Sequence, residues 1–153
     1  MIVVLKFAAV FLISASIGIL YRIPRSLLVY ASIVGMAAWG ITALTKEYGG
    51  GLIMANFFGS VIVGLAAETL ARYLKKPAAI FIIPGFIPLV PGGEAYTTML
   101  YMVEGRYVEG VSMFMRTVLT AGAIAFGIFI SSTIYRLFIN YITESKLHNV
   151  GKN

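Results

Sequence analysis

The chain has no cysteine and no aspartate, and holds one histidine and one tryptophan among 153 residues. Without cysteine, disulfides are excluded. Charge is scarce as well: 12% of residues are charged, where soluble domains carry about 25%. The net charge of +6 would suit nucleic acid, but the cations are spread among short loops and form no block. That distribution suits topology signals, so no nucleic-acid partner is expected. Enzyme chemistry finds little to work with. No metal-ligand cluster is present and no cofactor is implied. The single histidine, His148, lies in a polar tail and is expected to be solvated, and Lys6 has no serine within one turn to activate.

What remains is apolar. Hydrophobic residues make up 59% of the chain, and the mean hydropathy is +0.91. These values place it among integral membrane proteins. At about 20 residues per crossing, the length allows five spans and leaves no room for a soluble domain. The expected fold is an all-α integral membrane protein of about five transmembrane helices, the fourth broken by proline and glycine. One transmembrane domain covers 1–153, with spans at about 1–21, 26–45, 52–73, 78–103 and 111–141. The first run is not expected to be a cleaved signal, because it lacks a basic leader and an A-x-A site.

Small residues mark the faces on which helices can approach. Ser14 and Gly18 share a face of span one, and Ala31 and Gly35 share a face of span two. Trp39 is expected to pack or to lie in the interfacial belt. In span three, Asn56, Ser60, Gly64 and Glu68 recur every fourth residue and so form one stripe. The stripe reads either as helix packing glued by hydrogen bonds or as the lining of a polar pathway. Glu68 and Arg72 are an i, i+4 pair, expected to be a structural ion pair rather than a proton carrier.

The fourth span is the unusual one. Three of the five prolines, Pro84, Pro88 and Pro91, fall within eight residues, interleaved with Gly85 and followed by Gly92 and Gly93. Each proline removes a helical N–H. The carbonyls of Ile80, Pro84 and Ile87 therefore lose their usual partners. In hydrocarbon such a break is tolerated only against protein or a water-filled cavity, and broken helices build substrate sites in many transporters. The two halves either cross as one broken helix or form a re-entrant hairpin. Freed carbonyls near Ile80 and Pro84 offer acceptors to an ammonium. The N–H groups of Gly92, Gly93 and Glu94 offer a carboxylate the start of a second half-helix. Tyr96, Thr97 and Thr98 add hydroxyls, and Tyr96, Met99, Leu100 and Val103 share a face. Glu94 reads as a helix cap or as a substrate ligand, and Arg116 as a snorkelling cation or as the partner of a substrate carboxylate.

Basic residues decide orientation. Arg22 and Arg25 follow span one, and Lys75 and Lys76 follow span three with Arg72 at its edge. Arg136, Lys146 and Lys152 lie at the C-terminal side, while the loops after spans two and four are neutral or acidic. The positive-inside rule then expects the N-terminus outside and the C-terminus in the cytoplasm. The tail Thr143–Asn153 is expected to be frayed.

The pattern P-x-x-x-P-x-x-P-G-x-x-x-Y-x-x-M, set by Pro84, Pro88, Pro91, Gly92, Tyr96 and Met99, resembles the threonine/serine exporter (ThrE) family, specifically its small YjjB-like subunit. The likeness extends upstream to Y-R-I-P-R-S-L at 21–27 and downstream through span five, nearly the whole chain. The resemblance implies export of small hydrophilic metabolites across the prokaryotic inner membrane, with threonine and serine as the family's substrates and a succinate-like dicarboxylate for some members. It also implies a larger ThrE-type membrane subunit as partner. A homo-oligomer and a non-transporting scaffold are the alternatives.

Overall fold

The computed structural model describes the backbone of residues 2–150 and the side chains of residues 2–139 and Tyr141. Six α-helices follow in order: α1 Ile2–Leu20, α2 Arg25–Glu47, α3 Leu52–Tyr73, α4 Ala79–Phe86, α5 Gly92–Val103 and α6 Tyr107–Val150. A 3-10 turn, Ile87–Leu89, separates α4 from α5. Among the described residues four helices are long and apolar enough to cross a membrane, and α4 with α5 makes a fifth candidate, bent by 49°. The chain is an all-α membrane protein.

The breaks have local causes. Pro24, with φ fixed at −53°, opens α2. Gly105, at φ +76°, turns the chain between α5 and α6. Helix α6 begins at Tyr107, four residues before the expected start. Arg106, just before it, contacts Glu109 in the first turn at 3.2 Å and Glu104 at 3.7 Å. At its other end α6 continues to Val150, where a frayed tail from Thr143 was expected. The side chains of Lys146, His148 and Lys152 lie outside the described residues.

Helices in lipid gain little from burying apolar surface against one another, so close packing must do that work. Here it does so through hydroxyls set against glycines. Between α1 and α2, Ser14 meets Gly35, and Phe7 packs under Gly40 and edge-on to Trp39 at 5.1 Å. Trp39 is thus a packing residue. Between α2 and α3, Thr42 sits against Gly59. Its hydroxyl donates to the Ala38 carbonyl at 3.0 Å and reaches the Ala55 carbonyl across the seam at 3.3 Å. Between α3 and α6 the arrangement is reciprocal, Ser60 against Gly127 and Ser131 against Gly64.

The first half of the broken span fills the centre. Helix α4 packs on α1, α2 and α3, with Phe81 fully buried. A Cβ on Gly85 would lie 2.8 Å from Val34 and 3.1 Å from Val63, so glycine is what lets α4 enter. These contacts also set direction. Ser60 opposite Gly127 and Gly64 opposite Ser131 make α3 and α6 parallel. Leu52 is then level with residue 119, and α6 starts a dozen residues, about 18 Å, beyond the start of α3. Helix α5 runs back along that overhang, with Glu94 at Arg116 and Met102 at Gly110.

Candidate functional site

Of the α3 stripe, Ser60, Gly64 and Glu68 lie on the α6 seam. Asn56, Ser60 and Glu68 are buried. The Ser60 hydroxyl donates to the Phe57 carbonyl at 2.7 Å. Glu68 is not paired with Arg72. Its Oε1 accepts from Arg136 Nη2 at 2.7 Å and Nε at 2.8 Å. The parallel register explains the correction: Glu68 faces α6, and Arg136 is the cation that arrives there. Arg72, at the end of α3, lies over the Tyr135 ring instead, 5.3 Å from its centroid. A carboxylate only 6% exposed needs such a partner, because an unpaired buried charge is costly.

The proline-glycine segment divides into a closed half and an open half. Pro84 and Gly85 are buried. The Pro84 carbonyl packs against Gly35, 3.4 Å from where a Cβ there would sit, and the Ser14 hydroxyl beside it is buried with no hydrogen-bond partner among the described residues. The Ile87 carbonyl was expected to lose its partner, but it accepts from the Val90 N–H at 3.1 Å. The tighter 3-10 turn recovers that bond. Pro88 stands within this turn. The Gly92 N–H is also engaged, donating to the Val90 carbonyl at 2.8 Å.

The open half begins at Pro91. A Cβ on Gly92 or Gly93 would meet nothing within 4 Å, which leaves room at the start of α5. The Thr97 hydroxyl donates to the Gly93 carbonyl at 2.9 Å and that of Thr98 to the Glu94 carbonyl at 2.8 Å, so neither is aimed outward. Tyr96 is 70% exposed. Glu94 and Arg116 meet directly, Oε1 to Nε at 3.1 Å. Among the described residues the second oxygen of Glu94 is buried without a partner. Near this pair lies a cavity of about 410 Å³ between the break and α6, lined by Phe86, Val90 and Pro91 on one side and Ala121, Ile124 and Ile128 on the other.

The structure thus brings Glu94 and Arg116 into contact and gathers Ser60 and Glu68 at one seam, with Asn56 buried on the same helix. It keeps Pro84 and Gly85 apart from both, inside the bundle. The residues that complete the seam, Gly127, Ser131 and Arg136, were legible in part: Gly127 and Ser131 form a small-xxx-small pair on α6.

A family model described as Threonine/Serine exporter, ThrE matches residues 6–134, well over half of the chain and the whole of the broken span. The chain belongs to the threonine/serine exporter family. This exporter-family chain is also similar to an uncharacterized protein of Haemophilus influenzae (strain ATCC 51907 / DSM 11121 / KW20 / Rd). The two are 26% identical over an alignment of 127 residues that covers 77% of this chain and 42% of the relative. The chain therefore spans less than half the length of that relative. No solved structure matches. Membership and the candidate spans make it a multi-pass membrane protein of an exporter family.

Proposed function

We propose that the chain is the small subunit of an exporter of small hydrophilic metabolites, threonine and serine foremost, in the inner membrane of a prokaryotic cell. Substrate passes at the break between α4 and α5. Pro91, Gly92, Gly93 and Glu94 form its open side with Arg116. Pro84, Gly85 and Pro88 form the hinge behind it, Tyr96 and Thr97 flank it one turn on, and Ser60 and Glu68 hold the adjoining α3–α6 seam, with Asn56 on the same helix. The observation that carries this reading is the 49° bend at a proline-glycine break, with an ion pair where the second half-helix starts. A scaffold would have no need of polar groups held there, half out of water.

The basic residues favour a cytoplasmic face at Arg22, Arg25, Lys75 and Lys76, with the N-terminus outside. A reporter fused after Asn153 should read cytoplasmic and one in the 46–50 loop external. An external C-terminus would sink this orientation.

A companion subunit supplies the remainder of the pathway. Expressed in a host that lacks a larger exporter subunit, the chain should produce no threonine efflux, and co-expression with that subunit should restore it. Robust efflux from the chain alone would refute the companion and favour a homo-oligomer.

A further inference from the structure

The ion pair at the start of α5 is unevenly built. Glu94 is 17% exposed on its side chain and Arg116 is 54% exposed. The Glu94 carboxylate spends Oε1 on Arg116 Nε, and its other oxygen is shut away from water with no donor to it among the described residues. A buried acceptor left empty is costly. The contact on the arginine side uses Nε, and a guanidinium has four further N–H donors suited to a carboxylate. The pair thus offers an empty acceptor and exposed donors a few ångströms apart. The cavity at Pro91 and Ala121 begins within the same turn as Glu94 and less than two turns along α6 from Arg116, and every side chain that lines it is apolar.

We propose that Glu94 and Arg116 form a gate that reads a zwitterion. A neutral α-amino acid inserts between them, its ammonium taking the empty oxygen of Glu94 and its carboxylate taking Arg116. Its side chain enters the apolar cavity. This assignment rests on the exporter reading and deepens it. It makes short aliphatic amino acids such as valine substrates alongside threonine. It also excludes dicarboxylates, because a second carboxylate would face Glu94 without a cation of its own. Between transport events the two side chains neutralise each other, which closes the site.

The test uses everted membrane vesicles from the native host, with the chromosomal copy deleted and replaced by wild-type or variant chain, so that any companion stays in place. Uptake of labelled L-valine, L-threonine and succinate is measured at matched chain abundance. Wild type should take up both amino acids and exclude succinate. Glu94→Gln should raise the half-saturation concentration for both amino acids by about tenfold, the loss of one charged hydrogen bond, and should admit succinate. Ala121→Leu should raise the half-saturation for valine more than for threonine. If Glu94 only clamps α5 to α6, Glu94→Gln will lower abundance and leave half-saturation and succinate exclusion unchanged, which overturns the gate but spares the exporter reading. Should Glu94→Gln fail to reach the membrane, Ala121→Leu decides, and an unchanged valine half-saturation refutes the assignment. Wild-type vesicles that take up neither amino acid would overturn the exporter reading itself.

Discussion

Gly127→Leu should cut the amount of folded chain in the membrane several-fold, with the remainder melting earlier in detergent. A Cβ at 127 would lie 2.8 Å from the Phe57 carbonyl oxygen and in hard contact with the Ser60 hydroxyl. The hydroxyl can rotate, but the carbonyl belongs to the backbone of α3 and cannot move without the helix. Leucine adds three more carbons at the same point, so α3 and α6 must separate. Overpacking of this kind costs about 1–3 kcal/mol or more, and losses of that size change abundance several-fold in cells. Separation would also pull Arg136 from Glu68 and strand a buried carboxylate. Gly122→Leu is the matched control. It lies on the same helix, and a Cβ there meets nothing within 4 Å. Equal abundance and equal melting of Gly127→Leu and wild type would show that the seam is not as close as described.

Much of this architecture is written in residue spacing. The small ridges on spans one and two do meet, through Ser14 and Gly35, and the stripe on span three does face another helix. Which helix was not legible, because Glu68 and Arg136 are 68 residues apart and only a parallel register aligns them. The i, i+4 rule offered Arg72, and a local rule cannot foresee a cation delivered from elsewhere. Helix α5 misleads for a different reason. Its apolar face, with Tyr96, Met99 and Val103, is the exposed one, and its buried residue is Thr98. In a soluble protein an apolar stripe marks the core. In lipid the polar or small face is what seeks a neighbour, and the periodic signal inverts. The break itself was visible from its prolines, but its two states of closure were not. Pro84 is sealed because Gly35 and Gly85 let three helices crowd it, a property of residues far apart in the chain.

The double variant Pro88→Ala/Pro91→Ala should insert, accumulate and lose export. Alanine at 88 restores a donor four residues after Pro84, and alanine at 91 restores one four residues after Ile87. Proline is about 3 kcal/mol less favourable than alanine inside a helix, so the pair of changes favours a continuous helix by roughly twice that. Residues 84–95 would then run straight. The 49° bend would be lost, α5 would leave α6, and Glu94 would be drawn from Arg116. The apolar length needed for insertion is untouched. Pro77→Ala serves as control. Pro77 is exposed in the loop before α4, and its carbonyl, which accepts from the Ile80 N–H at 3.2 Å, remains available in alanine.

The measurement that bears most directly on the exporter reading is labelled L-threonine uptake by everted vesicles from the native host, comparing wild type, Pro77→Ala and Pro88→Ala/Pro91→Ala at equal chain abundance. A working break requires uptake by wild type and Pro77→Ala and at least about a tenfold lower rate for the double variant, a barrier change of about 1.4 kcal/mol. Wild-type uptake by the double variant would mean that the break is only a kink and that substrate passes elsewhere.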